Sequence, residues 1–436
     1  MATVRPFKAV RPKRELASAV AALPYDVMNT DEARQMAAGN PYSFLRVDKA
    51  EIDLPPETDQ YDPAVYAKAK ENLQKLIRGA MLQDSEPNLY IYRLTGYGQC
   101  QTGLAACVSA AEYERGEIKR HEFTRPDKER DRVRHVEATE AHTGPIFLAY
   151  RDPSSRGRGP RTPAREQSPL DPNIEGALVS PKVIMAGVVG GEAEYDFVAE
   201  DGVRHEVWVV RDAAVRDALV GAFAKIPALY IADGHHRNAT AAIVAKKRED
   251  AAGASADPDA EHNFYLAVIF PHDELAILDY NRVVTDLNGA SAGEFLQKLG
   301  VEWDVEKSSA PIKPSQKFEV GMYMKEQWYR LVKKNPPNSA DPIENLDCSV
   351  LQNTLLSPIL GIHDPRADKR IDFVGGIRGL EGLEARVNSG EMAVAFALFP
   401  TSMDELMSVA DANQIMPPKS TWFEPKLRSG LLVHLF

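Results

Sequence analysis

Residues 226–232 are an apolar run of strand length, and residues 238–247 are alanine-rich with helical propensity, so the chain must pass from strand to helix across Gly234. Such a corner belongs in a sheet covered by helices. Asp233, His235, His236 and Arg237 crowd around that glycine. The first N–H groups of a helix lack intrahelical partners, and the positive end of the helix dipole adds to them, so the corner suits a phosphate or a carboxylate. Arg237 offers a forked two-bond contact to such an anion, Asp233 a ligand for a divalent ion or an acceptor for a proton, and the two imidazoles titrate near neutrality. Asp233 as a plain N-cap, Arg237 as a surface ion pair and one imidazole as a core group make up the competing reading. Four chemically able residues in five positions favour a site.

With 436 residues the chain exceeds the roughly 250–300 at which one core stops growing, so more than one subdomain is expected. The expected divisions are an N-terminal α/β region over 1–150, a flexible loop or linker over 151–178 rich in Arg, Pro, Gly and Ser, a core bearing the corner over 179–290, and a C-terminal α/β region over 291–436. Hydrophobic content of 44% and charged content of 26% fit a globular protein, and a net charge of −11 argues against nucleic acid as a bulk partner. Three cysteines without C-x-x-C spacing suit a reducing cytoplasm. The first residues carry no apolar leader and no stretch of about eighteen apolar residues occurs, so neither secretion nor a membrane span is expected.

Residues 62–80 have helical spacing, with a proline in the first turn and Val65, Ala69, Leu73 and Leu76 along one side. Residues 89–94 and 101–110 read as a hairpin around Thr95-Gly96-Tyr97-Gly98. A charged helix follows over 127–142 and an unbroken apolar strand over 144–150. Strands are expected near 182–189, 205–210, 264–270 and 275–280, with a helix near 212–224. Further on, a helix over 291–299, strands over 318–324 and 327–332 and a helix over 350–360 complete an α+β class with mixed sheets and covering helices. The segment 416–430 is fixed by prolines, and Lys419, Ser420, Thr421, Lys426 and Arg428 supply donors to it. It reads equally as an anion clamp and as a rigid strap that packs Trp422 and Phe423.

Arg5-Pro6-Phe7-Lys8-Ala9, Leu23-Pro24-Tyr25-Asp26-Val27, Asn40-Pro41-Tyr42-Ser43-Phe44-Leu45, the 121–145 segment, Asp233-Gly234-His235-His236-Arg237 and the 416–426 segment together resemble the bacterial and archaeal family called domain of unknown function 1015. The Asp-Gly-His-His-Arg turn is similar to one in the archaeal free serine kinases of the ParB/sulfiredoxin-like superfamily. The resemblance implies a ParB/sulfiredoxin-like core with added N- and C-terminal elements, and phosphoryl transfer between a nucleotide, ADP or ATP, and a small hydroxylated metabolite, with a serine-like acceptor favoured. It implies Mg²⁺ at Asp233, proton transfer by His235 or His236, and an upstream acid as base, for which Asp26 and Glu122 are equal candidates. Gly234, Arg237, Asn238, Thr240, Lys419 and Ser420 would bind phosphate or nucleotide. The expected partners are the nucleotide and the small molecule, without membrane or nucleic acid, and a homodimer is admitted. Phosphoserine hydrolysis and a non-enzymatic nucleotide-binding regulator remain the competing functions. A zinc hydrolase is disfavoured, because adjacent histidines on a turn seldom reach one metal and no H-x-x-x-H or C-x-x-C accompanies them.

Overall fold

A computed structural model describes residues 2–155 and 180–436; all but the first five residues of the expected 151–178 linker lie outside the described residues. The chain divides into two compact units, Met1–Leu275 with Pro425–Phe436, and Ala276–Glu424. Both are α+β.

The first unit is organised by nine strands: β1 (Val4–Arg5), β2 (Leu89–Gly96), β3 (Gln99–Ser109), β4 (Ile118–Lys119), β5 (Ile146–Tyr150), β6 (Tyr195–Val198), β7 (Arg204–Val210), β8 (Leu229–Asp233) and β9 (Phe264–Pro271). They form one mixed sheet in the order β4-β8-β5-β9-β3-β2-β7-β6, with β1 beside β3. The β4–β8 and β5–β9 pairs are parallel and the others antiparallel. The hairpin between β2 and β3 turns on Tyr97 and Gly98, both left-handed at φ 52° and 74°, which matches the twist that a two-residue hairpin loop requires. Every residue of β5 is buried, as its unbroken apolar run indicates.

Helices α1 (Pro63–Gly79), α2 (Pro126–Thr139), α3 (Pro181–Val188), α4 (Ala213–Phe223) and α5 (His235–Ala252) accompany this sheet. Asp62 caps α1 through the Ala64 N–H, and Val65, Ala69, Leu73 and Leu76 are its buried stripe, as the spacing indicates. Met185 of α3, Leu219 and Phe223 of α4, and Ala241 and Ala245 of α5 join one core with Leu89, Ile91, Leu148, Trp208 and Ile231 of the sheet. Each large apolar side chain buried this way stabilises by roughly 1.5–3 kcal/mol. Val133 and Val136 of α2 pack on Val244 of α5, which fixes the charged helix alongside the corner helix.

One expectation fails outright: the strand expected near 182–189 is instead helix α3, Pro181–Val188. The Ser180 hydroxyl accepts from the Lys182 N–H and Pro181 opens the first turn, so the start signal outweighs the β-branched run that follows. The strand expected over 275–280 is divided, with Ile277–Leu278 pairing Trp422–Phe423 and the longer strand beginning at Tyr280.

The second unit contains β10 (Tyr280–Val284), β11 (Trp303–Ser308), β12 (Glu319–Met324), β13 (Gln327–Lys333), β14 (Ile371–Gly375) and β15 (Val394–Leu398), antiparallel throughout, in the order β11-β13-β12-β15-β10-β14. Helices α6 (Ala292–Leu299), α7 (Gly379–Asn388) and α8 (Met403–Asp411) belong to it. Leu383 and Val387 of α7 pack on Val283, Tyr323, Ala395 and Ala397. The helix expected over 350–360 begins earlier, at Asp347, and widens into a π-helical turn over Gln352–Leu356. Among the described residues no helix is long and apolar enough to cross a membrane.

Candidate functional site at the β8–α5 corner

Strand β8 pairs with β5 through Leu229, Tyr230 and Ile231, after which the register shifts and Asp233 stands opposite Phe147. Gly234 then takes φ 90° and ψ 32° as the N-cap of α5. A Cβ there would meet nothing nearer than Ile146 at 3.8 Å, so it is the left-handed backbone, and not lack of space, that calls for glycine. The N-cap supplies no side-chain cap and the first turn holds no acid, so α5 does not neutralise its own positive end.

Asp233 is engaged on both oxygens: Oδ1 accepts from the Gly234 N–H at 2.8 Å, and Oδ2 from Lys426 Nζ at 2.8 Å. Burial acts to raise its pKa, but Lys426, Arg237 and the Gly234 N–H outweigh burial and bring it to about 2. Asp233 is therefore a carboxylate at any physiological pH.

Arg237 donates from Nη1 to the Pro145 carbonyl at 3.0 Å, and its Nη2 lies 3.7 Å from Asp26. Tyr25 is buried between two guanidiniums, with Arg132 4.0 Å and Arg237 5.8 Å from its ring centre. Arg132 is itself held by Asp131 at 2.8 Å. Gly144 admits the Arg237 side chain, since a Cβ there would lie 2.8 Å from Nη1. Behind the corner, Arg132, Asp48, Thr143, Arg237 and Thr240 help line a cavity of about 30 Å³, the size of one or two waters.

His235 is buried, with Nδ1 3.7 Å from Glu122, and His121 meets its ring edge-on with centres 4.5 Å apart. Burial chiefly drives the His235 pKa down to about 4, against a favourable contribution from Asp233. The His121 pKa is also lowered well below the usual imidazole value, by burial and then by His235. His236 is lowered by burial, with Asp26 and Glu129 pulling the other way. Both imidazoles of the turn are thus neutral at pH 7 and suited to donate a hydrogen bond without carrying charge. His235 Nε2, His236 Nδ1, Arg237 Nε and Thr240 Oγ1 are buried without a hydrogen-bond partner, and Asn238 is fully buried beside them. Leaving such groups unmet costs roughly 1–3 kcal/mol each, so their concentration in the first two turns of α5 points to a polar guest.

The fold thus brings both upstream acids, Asp26 and Glu122, to the corner from segments over a hundred residues and nearly as many apart in sequence. Lys419 and Ser420 belong to the other compact unit. There Lys419 Nζ lies 5.6 Å from the Tyr280 ring centre, and Ser420 Oγ donates to the Pro417 carbonyl and sits 3.3 Å from Cys348 Sγ. Sequence reasoning passed over Tyr25, His121, Arg132 and Gly144 as parts of the site, and placed Lys426 only in a C-terminal clamp. Two of them adjoin the acids that it did name, Tyr25 beside Asp26 and His121 beside Glu122. Among the described residues no three His, Cys, Asp or Glu side chains converge as a metal site.

A family model described as "Protein of unknown function (DUF1015)" matches residues 4–164 and 179–349, a span that holds Asp26, Glu122 and the whole corner but not residues 416–426. No curated protein sequence matches the chain. Among solved structures, a free serine kinase in complex with AMP is 12% identical, with 75% of this chain and 91% of that one covered and a TM-score of 0.34. A conserved hypothetical protein from Pyrococcus furiosus is 13% identical over 76% and 95%, TM-score 0.33. SbnI with a C-terminal truncation, from Staphylococcus aureus, is 12% identical over 76% and 87%, TM-score 0.35. At these values no residue correspondence follows.

Proposed function

The chain belongs to the DUF1015 family, and from that premise we propose that it is a phosphotransferase moving a phosphoryl group between ADP or ATP and a small hydroxylated metabolite, serine-like in its acceptor. The observation that carries this reading is the set of buried, unpartnered polar atoms on residues 235–240, placed at the N-terminus of α5, which has no side-chain cap.

Phosphoryl transfer needs in-line placement and neutralised oxygens more than a strong nucleophile. Arg237 and the corner N–H groups bind the phosphates. His235 or His236, neutral at pH 7, donates to the transferring group. Glu122 or Asp26 takes the proton from the acceptor hydroxyl as the oxygen attacks phosphorus and the nucleotide oxygen leaves. Asp233 suits Mg²⁺, which commonly takes one carboxylate together with phosphate oxygens and water, provided that Lys426 yields Oδ2. That ion, when bound, supplies charge neutralisation on the phosphates.

Phosphorus NMR of the protein with Mg²⁺, a panel of nucleotides and either serine or phosphoserine tests the assignment. Transfer to or from the nucleotide is expected, and Arg237→Ala should reduce it by ~100-fold or more while the protein stays folded. Release of inorganic phosphate from phosphoserine without nucleotide would replace the proposal with hydrolysis, and nucleotide binding without turnover would replace it with a regulator.

A further inference from the structure

We infer that Arg282 anchors a carboxylate-bearing small molecule, which gives the second unit a binding site of its own. Five lysines and arginines are buried among the described residues: Arg11, Lys49, Arg282, Lys333 and Arg428. Four of them hold a carboxylate, Arg11 that of Asp84 at 2.9 Å, Lys49 that of Glu51 at 3.1 Å, Lys333 that of Glu302 at 2.7 Å, and Arg428 that of Asp201. Arg282, 4% exposed, pairs with no acid among the described residues. Its hydrogen bond runs from Nη1 to the Tyr280 carbonyl of its own strand, which leaves Nε and Nη2 over. Taking a guanidinium out of water without a counter-charge is costly. One carbonyl and the face of Phe373, 5.4 Å from the guanidinium carbon, offset only part of that cost.

The surroundings offer no acid to take that part. Arg282 stands in register between Phe373 of β14 and Phe396 of β15, so both flanks are apolar. Asp279 accepts from Asn281, Asp372 pairs with Arg386, and Asp347 accepts from the Phe318 N–H. Burial pushes the Arg282 pKa down, with Cys348 and Tyr280 acting against it. Cys348 Sγ lies 3.3 Å from Ser420 Oγ, so the part of the donor-rich 416–430 segment that belongs to this unit comes close to the guanidinium. Lys419 of that segment is exposed, pairs with no acid among the described residues, and holds Nζ 5.6 Å from the Tyr280 ring centre. Ser349 Oγ, next to Cys348 in the same short helix, is buried without a hydrogen-bond partner. A buried fork, a second cation and a spare hydroxyl are what an oxyanion requires. A carboxylate balances the one buried charge and matches the fork with its two oxygens, whereas a phosphate would bring up to two negative charges between the same apolar flanks.

Thermal unfolding in sodium benzoate, whose ring suits the apolar flanks, tests the assignment, with benzamide as the uncharged analogue and sodium chloride and inorganic phosphate at equal ionic strength. Benzoate should raise Tm over chloride by ~3 °C or more in the wild type and in Arg237→Ala alike, and should not do so in Arg282→Met. The Arg237→Ala arm removes the corner as the source of the effect. Should Arg282→Met not fold, Arg282→Gln keeps a donor for the Tyr280 carbonyl without the charge and takes its place. Equal stabilisation by benzoate and benzamide overturns the inference, as does a benzoate effect that the Arg282 variant retains or that Arg237→Ala loses. A wild-type Tm that benzoate leaves where chloride does, or that responds to phosphate in its stead, overturns it too.

Discussion

Alanine at position 144 would disturb the corner without replacing any of its charged or imidazole side chains. Gly144 does not use a left-handed backbone, so alanine can adopt its conformation, but the new Cβ would lie 2.7 Å from Ser429 Oγ and 2.8 Å from Arg237 Nη1. Both distances are too short to persist. Ser429 Oγ has no hydrogen-bond partner and can rotate away at little cost. Arg237 must withdraw, and with it goes the 3.0 Å bond to the Pro145 carbonyl. A hydrogen bond from a charged donor contributes about 1.5–3 kcal/mol, so a property that depends on this placement of the guanidinium should fall roughly 10- to 150-fold. Global stability should fall by less than the bond itself is worth, because alanine restricts the unfolded chain by about 0.4–1 kcal/mol in partial compensation. ADP affinity by calorimetry and Tm by scanning fluorimetry give the two readouts, with a Tm change below about 5 °C expected. The decisive comparison places Gly144→Ala in an Arg237→Ala background, where it should have no further effect on affinity. An equal loss in both backgrounds, or none in either, would refute the argument that Gly144 acts through Arg237.

Two pH responses of opposite sign follow from buried groups in the two units. His235 titrates near 4 when folded and near 6.5 when not, so its stabilising contribution is present above pH 6.5 and is lost as pH falls toward 4; His235→Gln should flatten the fall in Tm between pH 7 and 5, and parallel curves would reject the assignment. Burial takes Asp347 up to about 7 although the Phe318 N–H donates to it, so its contribution is present at low pH and is lost as pH rises through 7; Asp347→Asn should raise Tm at pH 8 and converge on the wild type toward pH 4, and a constant offset would rule this out.

The corner was legible because its signals are local: an apolar run of strand length, one glycine and an alanine-rich helix lie within about twenty residues. The 63–79 helix and the 89–109 hairpin were legible for the same reason, the first from its cap and stripe, the second from Tyr97-Gly98. Residues 182–188 were misread because apolar periodicity cannot separate a short buried helix from a strand, and the Ser180-Pro181 start signal was overlooked. Lys426, Tyr25 and Gly144 gained meaning only from contacts made across long stretches of chain. No spacing within the sequence encodes that a lysine should meet an aspartate 193 residues earlier. A donor-rich segment looks the same in sequence whether its donors serve a ligand or its own packing; in the fold Lys419 lies over the Tyr280 ring and Ser420 donates to the Pro417 carbonyl.

The separation of Asp233 from Lys426 also sets an order of events during synthesis. At roughly 5–20 residues per second, a ribosome needs on the order of ten to forty seconds to travel the 193 residues between them. During that interval the nascent corner has its carboxylate but not the lysine that pairs with it, so the Asp233–Lys426 contact closes only after the whole of the second unit has been made.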